Sequence, residues 1–416
     1  MPSNPSPPLC PPSGRQYFLD WLRILAFGLL VLYHVGMYYV GWDWHIKSPN
    51  IGSAIEPWMR LVSPWRMDLL FVVSGAATAF MLRRRGAEGG LLRERAARVL
   101  WPLLFGALVI VPPQSYLEVV HRFGYAGGAL DFMRLYLSGY SGFCRATGPC
   151  LILPTWNHLW YLPYLFVYTL VLWSLVVARP RWLARLADAA VPALAGTRLL
   201  VVPIVLLALT RMALRTRFPV THALVDDVFA HTQYFAMFLF GAVFAQGAGL
   251  AARMQALRWT ALIGALAAWA LMLLAPAHAG ATGAWPSLLR PLVYSVLQWC
   301  AIVAALGFAH RHLNVDNRWR RRLTEAVFPV YILHQTLIIL LAHALLPWAL
   351  APAIEAPLLV AGTLLFSLLG WAGVRRVGWL RPVFGMHARA SAENQPHTPT
   401  LPCPPQKSES FPSSRR

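Results

Sequence analysis

The stretch Leu19-Asp20-Trp21-Leu22-Arg23, running on through an uncharged apolar segment to Leu32-Tyr33-His34-Val35, decides how this chain is read. Arg23 and His34 stand eleven positions apart, an axial separation of roughly 16 Å on an α-helix rising about 1.5 Å per residue. About 20 apolar residues cross a hydrocarbon core of about 30 Å, so Arg23 falls near one membrane face and His34 near mid-depth. Ionisable groups at such depths are costly, and they face a bundle interior or a wet cavity where they take part in chemistry or transport. The first segment is therefore expected to be a working helix as well as an anchor.

The rest of the chain repeats that character. Its 416 residues are 57% hydrophobic and 12% charged, with 18 Trp, whereas a soluble domain carries about 25% charged residues. The expected fold is an all-α polytopic membrane protein. Ten helices are predicted near 18–40, 59–82, 99–120, 157–178, 199–216, 228–249, 258–277, 287–309, 324–349 and 356–374. Prolines 102, 112, 113, 163, 203, 291 and 329 fall within or near these spans, where neighbouring helices or water can satisfy the backbone groups they free. The predicted domain covers 15–376. The Pro- and Ser-rich ends, 1–14 and 391–416, are expected to be disordered tails. The first span lacks a cleavage site and reads as a retained signal anchor.

The formal net charge of +20 suggests nucleic acid, but its distribution excludes that reading. Only Lys47 and Lys407 are lysines, and the arginines cluster in alternate short loops. Loops after even-numbered spans hold 17 Lys or Arg and those after odd-numbered spans hold eight. By the positive-inside rule both termini are expected in the cytoplasm, in a multi-pass protein of a bacterial cytoplasmic (inner) membrane. The long outer loop at 121–156, rich in Gly, Tyr and Phe, is expected to cover an external site. It contains Cys144 and Cys150, which either form a short disulfide or stay as two thiols. The five cysteines make no metal signature, and no metal is expected.

His34 is the leading chemical candidate, because an imidazole titrating near neutrality serves as a general base. Arg23 stands one turn from Asp20 and either pairs with it or binds a donor phosphate. Arg95 and Arg98, at i and i+3, share a helix face, and guanidinium forks suit phosphate. Arg66 and Asp68, two positions apart, are expected to point toward different helices, with Arg66 suited to developing negative charge. Ser74-Gly75 permits close helix packing. His158 and Trp160 open the fourth span and His334 lies inside the ninth; all three are candidates for holding a sugar acceptor. Intramembrane His and Arg groups also suit a transporter or flippase, although no paired inverted halves are visible.

In order and spacing these blocks resemble the acyltransferase-3 family of integral membrane acyltransferases. The resemblance spans about 15–375. It is carried by Leu19-Asp20-Trp21-Leu22-Arg23 with His34 eleven residues on, and by Pro64-Trp65-Arg66 through Ser74-Gly75. Arg95-Ala96-Ala97-Arg98, His158-Leu159-Trp160-Tyr161-Leu162 and Tyr331-Ile332-Leu333-His334-Gln335 agree with it. The Tyr33-His34-Val35-Gly36-Met37 and Trp42-Asp43-Trp44-His45 runs look most like the branch of glucan biosynthesis protein C type enzymes, although Asp68 stands where that branch is expected to be apolar. The resemblance implies movement of an acyl group, acetyl or succinyl, from cytoplasmic acyl-CoA to an extracytoplasmic sugar or glucan hydroxyl. No bound cofactor is implied; acyl-CoA is the donor co-substrate. Carried over, His34 activates the hydroxyl or transiently carries the acyl group, Arg95 and Arg98 hold the CoA phosphates, and Arg23 orients donor or histidine.

Overall fold

Residues Tyr17–Tyr39 form one uninterrupted helix, α1, so the axial offset between Arg23 and His34 is kept. The structure, a computed structural model, describes residues 16–86, 89–145, 150–247, 249–274 and 289–386. The tails expected at 1–14 and 391–416 lie outside the described residues. Helices α2 (Glu56–Val62), α3 (Arg66–Arg85), α4 (Gly89–Phe105), α5 (Pro112–Phe123), α6 (Ala129–Leu137) and α7 (Tyr161–Ala178) follow. Then come α8 (Trp182–Ala193), α9 (Arg198–Leu214), α10 (Val228–Gln246), α11 (Leu250–Leu274), α12 (Leu289–His312), α13 (Arg318–Leu345), α14 (Pro352–Val374) and the short α15 (Leu380–Val383). Among the described residues nine helical stretches are long and apolar enough to cross a bilayer, and a tenth is made if α8 and α9, bent by 109°, count as one broken span. The all-α polytopic expectation holds.

Polar contacts fix α1 against α13 and α14 at three levels. Near its start Asp20 pairs with Arg320 of α13, whose side chain is 3% exposed. This differs from the local Asp20–Arg23 pairing considered above: Arg320 reaches Asp20 from the facing helix. At mid-helix His34 meets His334, and near the end the Tyr39 hydroxyl donates to Glu355 of α14 at 2.9 Å.

Close approach of backbones explains a second contact. A Cβ on Gly75 of α3 would stand 1.8 Å from the Phe238 carbonyl oxygen of α10, and one on Gly241 of α10 would stand 1.9 Å from the Val72 carbonyl oxygen of α3. Each helix thus supplies a glycine where the other's main chain crosses, the small-residue contact by which helices associate in lipid.

Prolines break α4 from α5 and leave carbonyls to satisfy. A π-helical segment, Gly106–Ile110, joins the two, and Pro112 lacks the N–H that would continue the ladder. The Tyr136 hydroxyl donates to the Ala107 carbonyl at 2.7 Å, and Thr336 of α13 donates to that of Ile110 at 2.7 Å. Tyr136 is fixed by α6, which packs with Phe132, Phe143 and Leu153 into a small cluster of its own. Cys144 and Cys150 are disulfide-bonded in the following loop.

The glycine crossing yields a test. Gly75→Val and Gly241→Val are each expected to destabilise the detergent-solubilised protein by about 1–3 kcal/mol, the usual cost of overpacking. Gly28→Val is the control, since nothing lies within 4 Å of a Cβ there. Equal melting temperatures for all three variants would show that the crossing is not as tight as drawn.

Candidate active site

Four residues of α1 form one stripe. Arg23, Phe27, Leu30 and His34 follow at spacings of four, three and four, so they share a helix face. Arg23 and Phe27 line one cavity of about 390 Å³, while Leu30 and His34 line another of about 230 Å³. On α13 the matching stripe is Arg321, Thr324 and Phe328 in the first cavity and Tyr331 in the second. Helices α3 and α7 run the other way: Arg66 and Asp68, with His158 and Trp160 of the 3-10 turn that leads into α7, reach the second cavity, and Ser74, Tyr161 and Leu165 the first. Two chambers thus lie end to end, parted by a belt around Phe27, whose ring sits 5.1 Å from that of Tyr331.

The first chamber is basic. Arg23, Arg95, Arg98, Arg321 and Arg381 line it with a single carboxylate, Glu325. Arg95 is steered by Thr78, which accepts from its Nη2 at 3.0 Å and itself donates to the Ser74 carbonyl. The expected pairing of Arg95 with Arg98 in one place is present, and Arg23 joins them. Arg321 and Arg381 were invisible as site residues because each reads locally as one more loop arginine.

In the second chamber His34 is oriented through a relay. Its Nδ1 lies 2.8 Å from His334 Nε2, with the two rings nearly parallel at 6°. His334 Nδ1 lies 2.6 Å from the Tyr331 carbonyl oxygen, which can only accept, so that nitrogen carries the hydrogen. With both imidazoles neutral, His334 Nε2 then accepts and His34 Nδ1 donates. The lone pair of His34 is thereby left on Nε2, where no described residue bonds to it. A histidine tautomer set by a partner is the arrangement a general base requires.

The other candidates separate by geometry. His334 is 1% exposed and stands behind His34, off the cavity wall. His158 lines the cavity, yet its Nε2 donates to the Ile332 carbonyl at 3.0 Å and its Nδ1 meets Gln114 at 3.3 Å. It is a braced wall residue. Trp160 stacks on His222 with centroids 3.9 Å apart, offering an aromatic wall. Arg66 donates to the Ser63 carbonyl and stacks on Tyr33 at 3.5 Å. As expected, Arg66 and Asp68 meet different helices, Tyr33 of α1 and Gln298 of α12, and from the first turn of α3 both line this cavity. The 121–156 loop, expected to cover this site, contributes none of its described residues to the wall; Val220 and His222 from the α9–α10 connection do so. Arg211, Gln233, Tyr294 and Gln298 were also unforeseen, since each becomes a site residue only when α9, α10 and α12 converge. Among the described residues no group of three or more His, Cys, Asp or Glu is placed to hold a metal ion.

Comparison with known proteins agrees with this architecture. The chain is similar to glucans biosynthesis protein C of Salmonella paratyphi B and of Salmonella dublin, each 23% identical over 341 residues, covering 78% of this chain and 83% of the relative. The same protein from Salmonella heidelberg is equally similar. No solved structure matches the chain. The family model described as an acyltransferase domain matches residues 16–372, and this protein, with a fold built of apolar helices around a buried histidine, belongs to the acyltransferase-3 family of integral membrane acyltransferases.

Proposed function

We propose that this membrane acyltransferase takes an acetyl or succinyl group from cytoplasmic acyl-CoA and passes it to a sugar or glucan hydroxyl on the extracytoplasmic face of a bacterial inner membrane. The observation that carries the proposal is the α1 stripe, which joins an arginine-lined chamber to a histidine-lined one. Arg23, Arg95 and Arg98 hold the CoA phosphates, since forked guanidinium bonds suit phosphate oxygens. Two features support the sidedness. The arginine-rich loops fall at the Arg23 end of α1, and the Cys144–Cys150 disulfide suits an oxidising compartment at the other end.

In the second chamber His34 Nε2 takes the proton of the acceptor hydroxyl as its oxygen attacks the thioester carbonyl. The tetrahedral intermediate carries its negative charge on oxygen, and Arg66 is the nearby guanidinium to stabilise it. The attack forms the ester C–O bond; collapse re-forms the carbonyl and breaks the C–S bond, and the departing thiolate takes the proton from His34. His334 is a positioning residue that keeps His34 in the productive tautomer. Trp160 gives the sugar an apolar face to rest on, and braced His158 shapes the wall.

Mass spectrometry of extracytoplasmic glycans from cells with and without the gene is expected to show an acetyl or succinyl increment that His34→Ala abolishes. An increment that persists in His34→Ala would rule out its role, and no increment on any glycan would favour a transporter. His334→Leu is expected to lower kcat by about 10²-fold or more, in the range ascribed to general-base catalysis, without raising KM for acyl-CoA. His334→Gln, which offers an acceptor oxygen to His34 Nδ1, is expected to recover part of that loss. Equal defects in the two variants would mean that His334 only fills space. Arg95→Gln with Arg98→Gln is expected to raise KM for acyl-CoA at least tenfold, about 1.4 kcal/mol of binding; an unchanged KM would remove the phosphate-clamp role.

A further inference from the structure

The histidine chamber contains more positive charge than the acyl-transfer step needs. Arg66, Arg211 and Arg215 line it, and Asp68 is the one carboxylate among its lining residues. Asp68 does not neutralise them. Its Oδ2 accepts from Gln298 Nε2 at 3.1 Å, and its Oδ1 has no partner among the described residues. Gln298 in turn accepts from Arg211 Nη2 at 3.0 Å, so a neutral amide separates the acid from the guanidinium. Arg211 is 6% exposed. Its plane lies 3.8 Å from the Tyr294 ring centroid, and its Nε, like that of Arg66, has no hydrogen-bond partner among the described residues. Arg215 is exposed at the rim, on the same Tyr294 ring at 5.8 Å.

A buried guanidinium without a counter-charge is costly inside a membrane protein. Here two buried or half-buried guanidiniums face one small cavity, each with an N–H left unmade. His222, also on the wall, adds no charge at neutral pH: burial first, and then Arg66, push its imidazole down to about 4 against the pull of Asp227. A bound anion would supply the counter-charge the cavity lacks, held by the guanidiniums that line it.

We infer that the histidine chamber is an anion site, holding a carboxylate or phosphate group of the substrate on Arg66 and Arg211 with Arg215 at the entrance. Asp68 faces the site as a selectivity element that weakens anion binding. The inference rests on the acyl-transfer reading for its place in a reaction: the anion is either the distal carboxylate of a dicarboxylic acyl group or an acidic group on the acceptor. The chemistry required of the site is the same in both cases.

Binding to the full-length protein in nanodiscs, measured by isothermal titration with succinate, glucose 6-phosphate and glucose as probes, tests it. At least one anionic probe is expected to bind saturably, with glucose showing no binding over the same range. Arg211→Gln is expected to weaken that binding at least tenfold, and Asp68→Asn to tighten it several-fold. Because Arg211 is buried and its variant can fail to fold, the exposed Arg215→Gln is the second probe, with an expected loss of about threefold. Arg95→Gln, which removes an arginine of the other chamber, reports any anion binding that belongs there instead. Succinate binding alone assigns the anion to the acyl group, and glucose 6-phosphate binding alone assigns it to the acceptor. No saturable anion binding, binding indifferent to Arg211, Arg215 and Asp68, or binding lost only in Arg95→Gln overturns the inference. The measurement needs no turnover, so the two readings fail separately. Anion binding through Arg211 without acyl transfer keeps the site and loses the reaction, and acyl transfer with no anion binding does the reverse.

Discussion

Everything in the centre of this protein depends on the axial register of α1 against α13. One ion pair, Asp20–Arg320, sets it near the start of α1, and the Tyr39–Glu355 hydrogen bond holds the other end of α1 against α14. Between them the two histidines meet at 2.8 Å. Hydrogen bonds of this kind tolerate only tenths of an ångström, and a slip of one residue moves a side chain by about 1.5 Å along the axis and 100° around it. The outer two contacts therefore do more than add stability. They make the histidine relay possible, by denying α1 any neighbouring register in which His34 would face lipid or a different wall. Arg320 is held from its other side by Asp316, just ahead of its own helix, so its guanidinium is already aimed at Asp20.

The two chambers use charge differently. The arginine chamber opens among loops that are already basic, and Arg321 there is 62% exposed, so its guanidinium keeps much of its hydration. The histidine chamber holds Arg211 at 6% exposure with amide and aromatic neighbours in place of a carboxylate. Stacking on Tyr294 offsets part of the lost hydration, as a cation over an aromatic face is worth about 2 kcal/mol or more when desolvated. Such a group is maintained against a standing cost, which is the physical reason to look for what it binds.

Sequence reading reached the fold and the centre of the site by different routes. The apolar runs gave the spans, because in lipid the helix is nearly the only way to satisfy the backbone. His34, Arg23, Arg95 and Arg98 stood out because each is an ionisable group at a spacing that a helix converts into a shared face. Residues whose role comes from tertiary convergence were not legible. Arg211 looked like an outer-loop charge, and only the packing of α9 against α12 turns it toward Gln298. Nothing local distinguishes Arg381 from the other loop arginines, yet it lines the arginine chamber. His334 was visible as an intramembrane histidine, but its place behind His34, and not on the wall, follows from the Tyr331 carbonyl that holds it.

The stripe Arg23, Phe27, Leu30, His34 also works as a ruler. Because α1 is unbroken from Tyr17 to Tyr39, the axial distance between Arg23 and His34 is fixed by helix rise, at roughly 16 Å for eleven residues. On the proposed reaction, a donor whose acyl group sits directly on its phosphate is too short to touch both ends, however well either chamber fits it. A carrier with a thin, extended arm between phosphate and thioester meets the length. On that proposal the donor is selected by reach, a property set by backbone geometry that no single side-chain substitution can reset.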